Sequence, residues 1–338
     1  MSAFSSDDKA SSVKLSVFTD GVHETINGNS YSYFAKHAEC LENYYSSENP
    51  NGGISLCIAE NKLCGEVLLK KMRAFDQMRG ATLCYDMPYG SLPLRTSLAR
   101  FLSNRIFNRH EVRPDQLICS AGVTALLYQL SLTLFNPGDA LLLPIPFYPV
   151  FKKDFTTLNK VHIQEVHGSG DHFSFTIPDL ETAYQDAILK GHPPKALMLC
   201  NPHNPLGTVL SPSFLMEIIT WCRGKHLHVI ADEIYALSTF AKTSLHEKDG
   251  DDDSSKGFVS VVEVLKGQLL DDIHVLWGLS KDISASGLRV GVLYSQNAKL
   301  LTALTFLSDP YQGAVYFLSP SFYMTTVHEH CNHVFFFQ

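Results

Sequence analysis

The residues with the clearest chemical potential lie close together: Lys281 in Trp277-Gly278-Leu279-Ser280-Lys281-Asp282, and Arg289 in Ser286-Gly287-Leu288-Arg289-Val290-Gly291. An amine held among apolar neighbours has its charged form disfavoured, so its pKa falls and it becomes a nucleophile toward an aldehyde. Arg289, eight residues on, offers a fixed fork of donors for a phosphate. Spacing alone serves an exposed lysine and an ordinarily paired arginine equally well. The setting adds more. Ile273 to Trp277 reads as a buried strand, Gly278 to Asp282 as the turn that leaves it, and Leu288 to Tyr294 as a second apolar strand. Lys281 therefore stands at a strand end, where α/β proteins build their sites.

Other polar groups follow apolar runs in the same way. Gln116 to Cys119 leads into Ser120-Ala121-Gly122-Val123-Thr124-Ala125 and a helical pattern through Leu134. Such a small-residue turn aims free backbone N–H groups and the helix dipole at one point, which suits a phosphate; an ordinary tight turn has the same sequence. Ala140 to Leu143 ends in Pro144-Ile145-Pro146-Phe147-Tyr148-Pro149, an extended loop whose Tyr148 ring can stack on a flat ligand, although such aromatics more often only close a core. Lys195 to Leu199 runs into the breaker-dense turn Asn201-Pro202-His203-Asn204-Pro205-Leu206-Gly207-Thr208. Leu227 to Ala231 is a strand with Asp232 at its end and Tyr235 three residues later.

The elements that must position these groups alternate in period. Tyr31 to Tyr45 carries Phe34, His37, Ala38 and Leu41 at helical spacing, and Ile54 to Ile58 reads as a short strand followed by Glu60 in a polar strand exit. Tyr85 to Pro93 is a loop; Ser91 caps the next helix, whose apolar face is Leu94, Leu98, Phe101 and Leu102. Phe214 to Cys222 is another helix. Strands separated by helical patterns predict an α/β fold with a mostly parallel sheet covered by helices on both faces. One crevice at the strand ends would gather Thr124, Tyr148, Asn204, Asp232 and Lys281.

The chain of 338 residues, 45% hydrophobic and 18% charged, is long enough for a large core and two lobes. A net charge of -7 argues against a broad nucleic-acid surface. The eight cysteines include no C-x-x-C pair, which points to reduced thiols in the cytoplasm rather than a zinc ribbon or disulfide framework. No apolar run reaches membrane-spanning length, and Met1 to Lys9 lacks a signal peptide's apolar segment. The acidic run Lys248 to Ser255 reads as a solvated loop, and His328-Glu329-His330-Cys331-Asn332-His333 matches no common zinc pattern, so no metal is expected.

In order and in kind, these motifs resemble the fold-type I pyridoxal-phosphate enzymes of the aminotransferase superfamily. Within it they are most similar to 1-aminocyclopropane-1-carboxylate (ACC) synthase and its animal ACC synthase-like relatives. The resemblance implies a role for each group. Lys281 would form a Schiff base with the aldehyde of pyridoxal 5'-phosphate and move the substrate's Cα proton. Arg289, with the backbone turn at Val123 and Thr124, would hold the phosphate, and Asp232 would keep the pyridine nitrogen protonated so that the ring remains an electron sink. Tyr235 and Asn204 would hydrogen-bond the phenolic oxygen, and Tyr148 would stack on the ring. Tyr89 in Tyr89-Gly90-Ser91-Leu92-Pro93 resembles a tyrosine contributed across a homodimer interface, and Glu60 in Ala59-Glu60-Asn61-Lys62-Leu63 resembles a glutamate near the substrate's side chain.

The implied organisation is a disordered tail over 1–30, the N-terminal segment of a small domain over 31–80, a large cofactor-binding domain over 81–320 and a non-family tail over 321–338, leaving the small domain incomplete. Three departures from the family pattern bear on activity. Gly278 replaces a serine that donates to the phosphate, so Gly278→Ser is expected to tighten binding by on the order of tenfold. Gly90 comes one place early in the Tyr89 loop. No arginine follows Arg289 to bind the substrate's carboxylate. The expectation is an amino-acid-directed protein that is weak or inactive as an ACC synthase; a pseudoenzyme that only binds the cofactor and a partner-binding fragment are the alternatives.

Overall fold

The computed structural model describes residues 32–56, 58–74, 84–239 and 257–308. The expected N-terminal tail, the acidic run Lys248 to Ser255, and the 321–338 tail with its His328 to His333 cluster lie outside the described residues. The chain divides into two units, Met1–Cys57 and Ile58–Gln338.

In the first unit a helix, α1 (Ser32–Glu42), ends earlier than its apolar spacing predicts. The Asn43 carbonyl accepts the Gly53 amide at 2.8 Å, and Tyr45 N–H donates to the Gly53 carbonyl at 3.0 Å. Asn49 Nδ2 clamps the turn by donating to Asn43 Oδ1 at 2.7 Å. These bonds draw the chain out of the helix, and Leu41, expected on an apolar face, is exposed. The apolar run beginning at Ile54 also departs from expectation. Its described residues form no strand; the one pairing beside it is the Tyr44–Gly53 bridge, and Ile54 and Leu56 are exposed. A short apolar run becomes a strand only where a neighbour takes its N–H and C=O groups.

The second unit is built on a seven-stranded sheet. Its strands are β1 (Leu117–Ala121), β2 (Ala140–Pro144), β3 (His162–Val166), β4 (Pro194–Cys200), β5 (His228–Asp232), β6 (Ile273–Gly278) and β7 (Val290–Ser295). Their order is β1-β7-β6-β5-β4-β2-β3. Strands β2 through β6 pair in parallel, whereas β7 runs antiparallel to both β6 and β1. The expected mostly parallel sheet is present, with β7 as its single reversed strand.

Period-two alternation sends side chains to two cores. Leu142, Leu199, Val229, Val275, Trp277 and Val292 meet α2 (Gly65–Ala74), α3 (Leu92–Arg105), α6 (Ile177–Leu189), α7 (Pro212–Gly224) and α8 (Val261–Val264) on one face. Leu141, Met198, Ile230, Leu276 and Leu293 meet α4 (Val123–Leu134), α5 (Val150–Asn159) and α9 (Ala298–Leu307) on the other. Because both faces are covered, the strands read as continuous apolar runs rather than alternating ones. Helix α3 starts where its cap predicts: Ser91 Oγ accepts the Leu94 amide at 3.3 Å, with Pro93 in the first turn, and Leu94, Leu98, Phe101 and Leu102 are buried. Pro and a hydroxyl cap open α6 and α7 in the same way, at Thr176 and Ser211. Among the described residues, no helix is long and apolar enough to cross a membrane.

Candidate functional site

Parallel strands share one C-terminal edge, and a reversed strand begins at that edge. The sheet therefore brings together Gly122 and Val123 after β1, Tyr148 after β2, Asn201 to Asn204 after β4, Asp232 at the end of β5, Lys281 after β6 and Arg289 before β7. Reversal of β7 is what returns Arg289 to the lysine's end of the sheet.

The anion-attracting corner is the most constrained. Helix α4 starts at Val123 behind Gly122, which has φ 87° and supplies no side-chain cap to the first-turn amides, which lack partners within the helix. A Cβ on Gly122 would collide with Arg289 Nη2, and one on Gly291 would collide with the Gly122–Val123 peptide. Glycines thus let β7 and the Arg289 guanidinium close on the helix N-terminus. Arg289 itself has φ 51°, and its Nη1 donates to the Ser286 carbonyl at 3.0 Å. A guanidinium beside a helix N-terminus is an arrangement that suits an anion. Val123 and Thr124 occupy the first turn of that helix.

Lys281 is half-buried, and its Nζ donates to the Ala59 carbonyl at 2.9 Å. Burial is the main cause holding its pKa below the ordinary lysine value; the Glu60 charge opposes that shift and the Arg289 charge assists it. Asp232 is buried, and burial pushes its carboxyl up to about 7 against the Ile234 amide that it accepts at 3.2 Å. A carboxyl so placed is readily ionised by an arriving cation. Tyr235 lies among these groups: burial first, then the Cys200, Asp232, Tyr148 and Asp282 charges, push its phenol up to about 12, so it stays a neutral donor.

Tyr148 is 40% exposed, with its ring edge-on to Phe151 at 5.4 Å between centroids, so one part of the ring anchors in the core and the rest faces outward. The Asn204 turn is held by Asn201, whose Oδ1 accepts the Leu210 amide at 2.9 Å, and by a His203–Thr208 backbone bond at 2.8 Å. Glu60 is exposed and accepts Ser286 Oγ at 3.1 Å, joining the segment after Ile58 to the turn before Arg289. The Tyr89 ring lies under the Arg95 guanidinium at 4.7 Å, and its carbonyl accepts the Cys119 amide at 2.9 Å. Gly90, at φ 102°, accepts Arg95 Nε at 2.9 Å, which fixes the loop despite the early glycine.

One expectation needs correction. Gly278 pairs with Gly291 across β6 and β7, and a Cβ there would lie 2.8 Å from the Val290 carbonyl oxygen and 3.5 Å from Val123 Cγ2. The glycine is required for close approach of the strands, so a serine at 278 cannot simply add a donor. Sequence reasoning also passed over Asp282 and Arg95. Asp282 is buried and accepts Trp277 Nε1 at 2.9 Å. Its one sequence signal was its place beside Lys281 and five residues after a tryptophan whose N–H needs a partner.

This arrangement, a mixed sheet with lysine, aspartate and arginine on one edge, defines a class. The chain belongs to the aminotransferase class I and II family, whose model matches residues 53–324. Within that family it is similar to 1-aminocyclopropane-1-carboxylate synthase 6 of Arabidopsis thaliana, at 32% identity over 295 residues, covering 81% of this chain and 56% of the relative. It is 33% identical over 276 residues to the 1-aminocyclopropane-1-carboxylate synthase-like protein 1 of Bos taurus, covering 79% of this chain and 53% of the relative. A Mus musculus relative named a probable inactive 1-aminocyclopropane-1-carboxylate synthase-like protein 2 is 32% identical over 293 residues, covering 84% of this chain and 48% of the relative. The chain thus spans about half the length of these curated relatives. An archaeal alanine:glyoxylate aminotransferase shares the fold with a TM-score of 0.70 at 19% identity, covering 95% of this chain and 72% of that one. An aspartate aminotransferase of Thermotoga maritima does so at 0.65 and 21%, covering 92% and 74%.

Proposed function

We propose that the chain binds pyridoxal 5'-phosphate through Lys281 and acts on amino acids as an aminotransferase or ACC synthase-like protein. The observation that carries this reading is the convergence of a half-buried amine, a buried carboxyl near neutrality and a guanidinium over an uncapped helix N-terminus on one sheet edge. The residues fit the cofactor. The glycine-lined corner suits its phosphate, and the buried Asp232, short of donors, suits its cationic ring nitrogen.

When bound, the cofactor supplies an electron sink for charge developed at the substrate's α-carbon. The protein's own groups have separate tasks. Lys281 would be the amine for the aldehyde and the group that moves a proton at that carbon; burial, which lowers its pKa from the ordinary lysine value, favours the neutral amine that both tasks need. Asp232 would keep the proton on the ring nitrogen. Tyr235 and Asn204 would hold the phenolic oxygen, Tyr148 would stack on the ring, and Arg289 with the Val123 and Thr124 amides would hold the phosphate. Glu60 would stand on the substrate side.

The protein would be a homodimer, with Tyr89 serving the partner's site, and cytoplasmic, in keeping with a sequence whose cysteines form no C-x-x-C pair. A cofactor-binding role with little ACC formation is a second reading, supported by the mouse relative, which is named probable inactive. Titration of purified protein with pyridoxal 5'-phosphate tests the first reading. A saturable visible band, lost in Lys281→Ala, is expected; no band in folded protein would refute it. Product analysis with S-adenosylmethionine and with simple amino acids separates lyase, transaminase and inert outcomes.

A further inference from the structure

Asp282 follows the nucleophilic lysine but points away from it, into the protein. Its buried carboxylate gathers donors from two separate stretches of chain. Oδ2 accepts Trp277 Nε1 at 2.9 Å and the Leu237 amide at 3.0 Å, and Oδ1 accepts Ser238 Oγ at 2.8 Å. Trp277 lies in β6, just before the Lys281 turn, and its ring packs on Phe101 at 5.0 Å. Leu237 and Ser238 belong to the turn that leaves β5, and Ser238 N–H closes that turn on the Tyr235 carbonyl at 2.9 Å. On the other side, the Lys281 carbonyl accepts the Ser284 amide at 2.9 Å.

We propose that Asp282 is a positioning residue: its carboxylate locks the turn carrying Lys281 against the turn carrying Tyr235, so that amine and phenol hold a fixed relation. Among the described residues, the hydrogen bonds of Asp282 to Leu237 and Ser238 are the side-chain ties that join the two turns. Burying a carboxylate is costly unless its oxygens are satisfied, and three donors from fixed elements meet that need. The lock is geometric rather than electrostatic. An asparagine could keep all three bonds, with its oxygen toward Trp277 and Leu237 and its amide N–H toward Ser238 Oγ, which can turn to accept. Only the part of this inference that says what the amine and phenol serve rests on the proposed function.

The test measures Lys281 itself, before any cofactor is added. Trace acetylation of the full chain at a series of pH values, mapped by mass spectrometry, gives the reactivity and apparent pKa of the Lys281 amine among Glu60, Asp232 and Arg289. Asp282→Ala should release the turn, moving that pKa up toward the ordinary lysine value and slowing pyridoxal 5'-phosphate uptake by about tenfold or more. Asp282→Asn should restore both to near wild type. If Asp282→Ala does not fold, Ser238→Ala, which removes one hydroxyl and keeps two N–H donors, should move both in the same direction by a smaller factor. Unchanged Lys281 reactivity in the folded Ala variants, or an Asn variant as impaired as Ala, would overturn the proposal. A shifted Lys281 pKa in a protein that takes up no cofactor would support the lock and refute the cofactor reading instead.

Discussion

A side chain on Gly278 would set its Cβ 2.8 Å from the carbonyl oxygen of Val290, where β6 and β7 pair antiparallel. Gly278→Ser must therefore push β6 and β7 apart. It should cost about 1 to 3 kcal/mol of stability, as overpacking does. It should also fail to tighten cofactor binding, because Arg289 immediately precedes the displaced strand. Thermal unfolding and a dissociation constant for pyridoxal 5'-phosphate check both parts; a stable variant with tighter binding would show that the strands yield without cost.

Gly122 meets Arg289 under the same constraint, at φ 87°. Gly122→Ala adds a Cβ in a left-handed backbone and against the guanidinium, so the anion corner opens. Affinity for pyridoxal 5'-phosphate should fall by on the order of tenfold or more, while affinity for pyridoxal, which has no phosphate, should change little. Equal losses for both ligands would place the damage elsewhere.

Glu233 gives a pH dependence of defined sign. It is fully buried, accepts Ser260 Oγ at 2.7 Å and the Val261 amide at 2.9 Å, and burial pushes its carboxyl from the ordinary 4.5 up to about 8. Between those values the folded chain holds a proton that the unfolded chain has lost, so this group's contribution is full below about 4.5 and declines as pH rises through about 8. Glu233→Gln keeps an acceptor for the Val261 amide, and its own amide N–H can donate to Ser260 Oγ, which turns to accept, without the charge. Melting temperatures from pH 5 to 9 should fall more steeply in wild type than in the Gln variant; parallel curves would contradict this.

His274 acts in the opposite sense. It is buried between His228 Nδ1 at 3.0 Å and Ser295 Oγ at 2.9 Å, and burial lowers its pKa from the ordinary 6.5 to about 3. Below about 6.5 the unfolded chain takes a proton that the folded chain refuses, so stability falls as pH drops toward about 3. Ring NMR shifts should show His274 neutral from pH 8 to pH 5. A midpoint near 6.5 would contradict the burial argument.

Much of this was legible in the sequence because the sheet is buried on both faces and its strands announce themselves as apolar runs. Each polar group that ends such a run, from Gly122 to Lys281, lies on the one edge that a parallel sheet provides. Strand β3 was not foreseen, since His162-Ile163-Gln164-Glu165-Val166 is a half-polar strand at the sheet margin and lacks an apolar run. The Ile54 run misled for the converse reason: it is apolar but has no neighbour to pair with among the described residues. Gly278 looked like a lost hydroxyl because only the opposed strand reveals how near Val290 lies. Asp282 looked like an ordinary turn residue because its partners Leu237 and Ser238 are distant in sequence.

Lys281 is the residue proposed to take the cofactor. Borohydride reduction of protein incubated with pyridoxal 5'-phosphate, followed by peptide mapping, measures it directly. The label should fall on the peptide containing Lys281 and disappear in Lys281→Ala, with Asp232→Asn still labelled but binding more weakly. Label spread over surface lysines, or retained in Lys281→Ala at wild-type stoichiometry, would contradict the account.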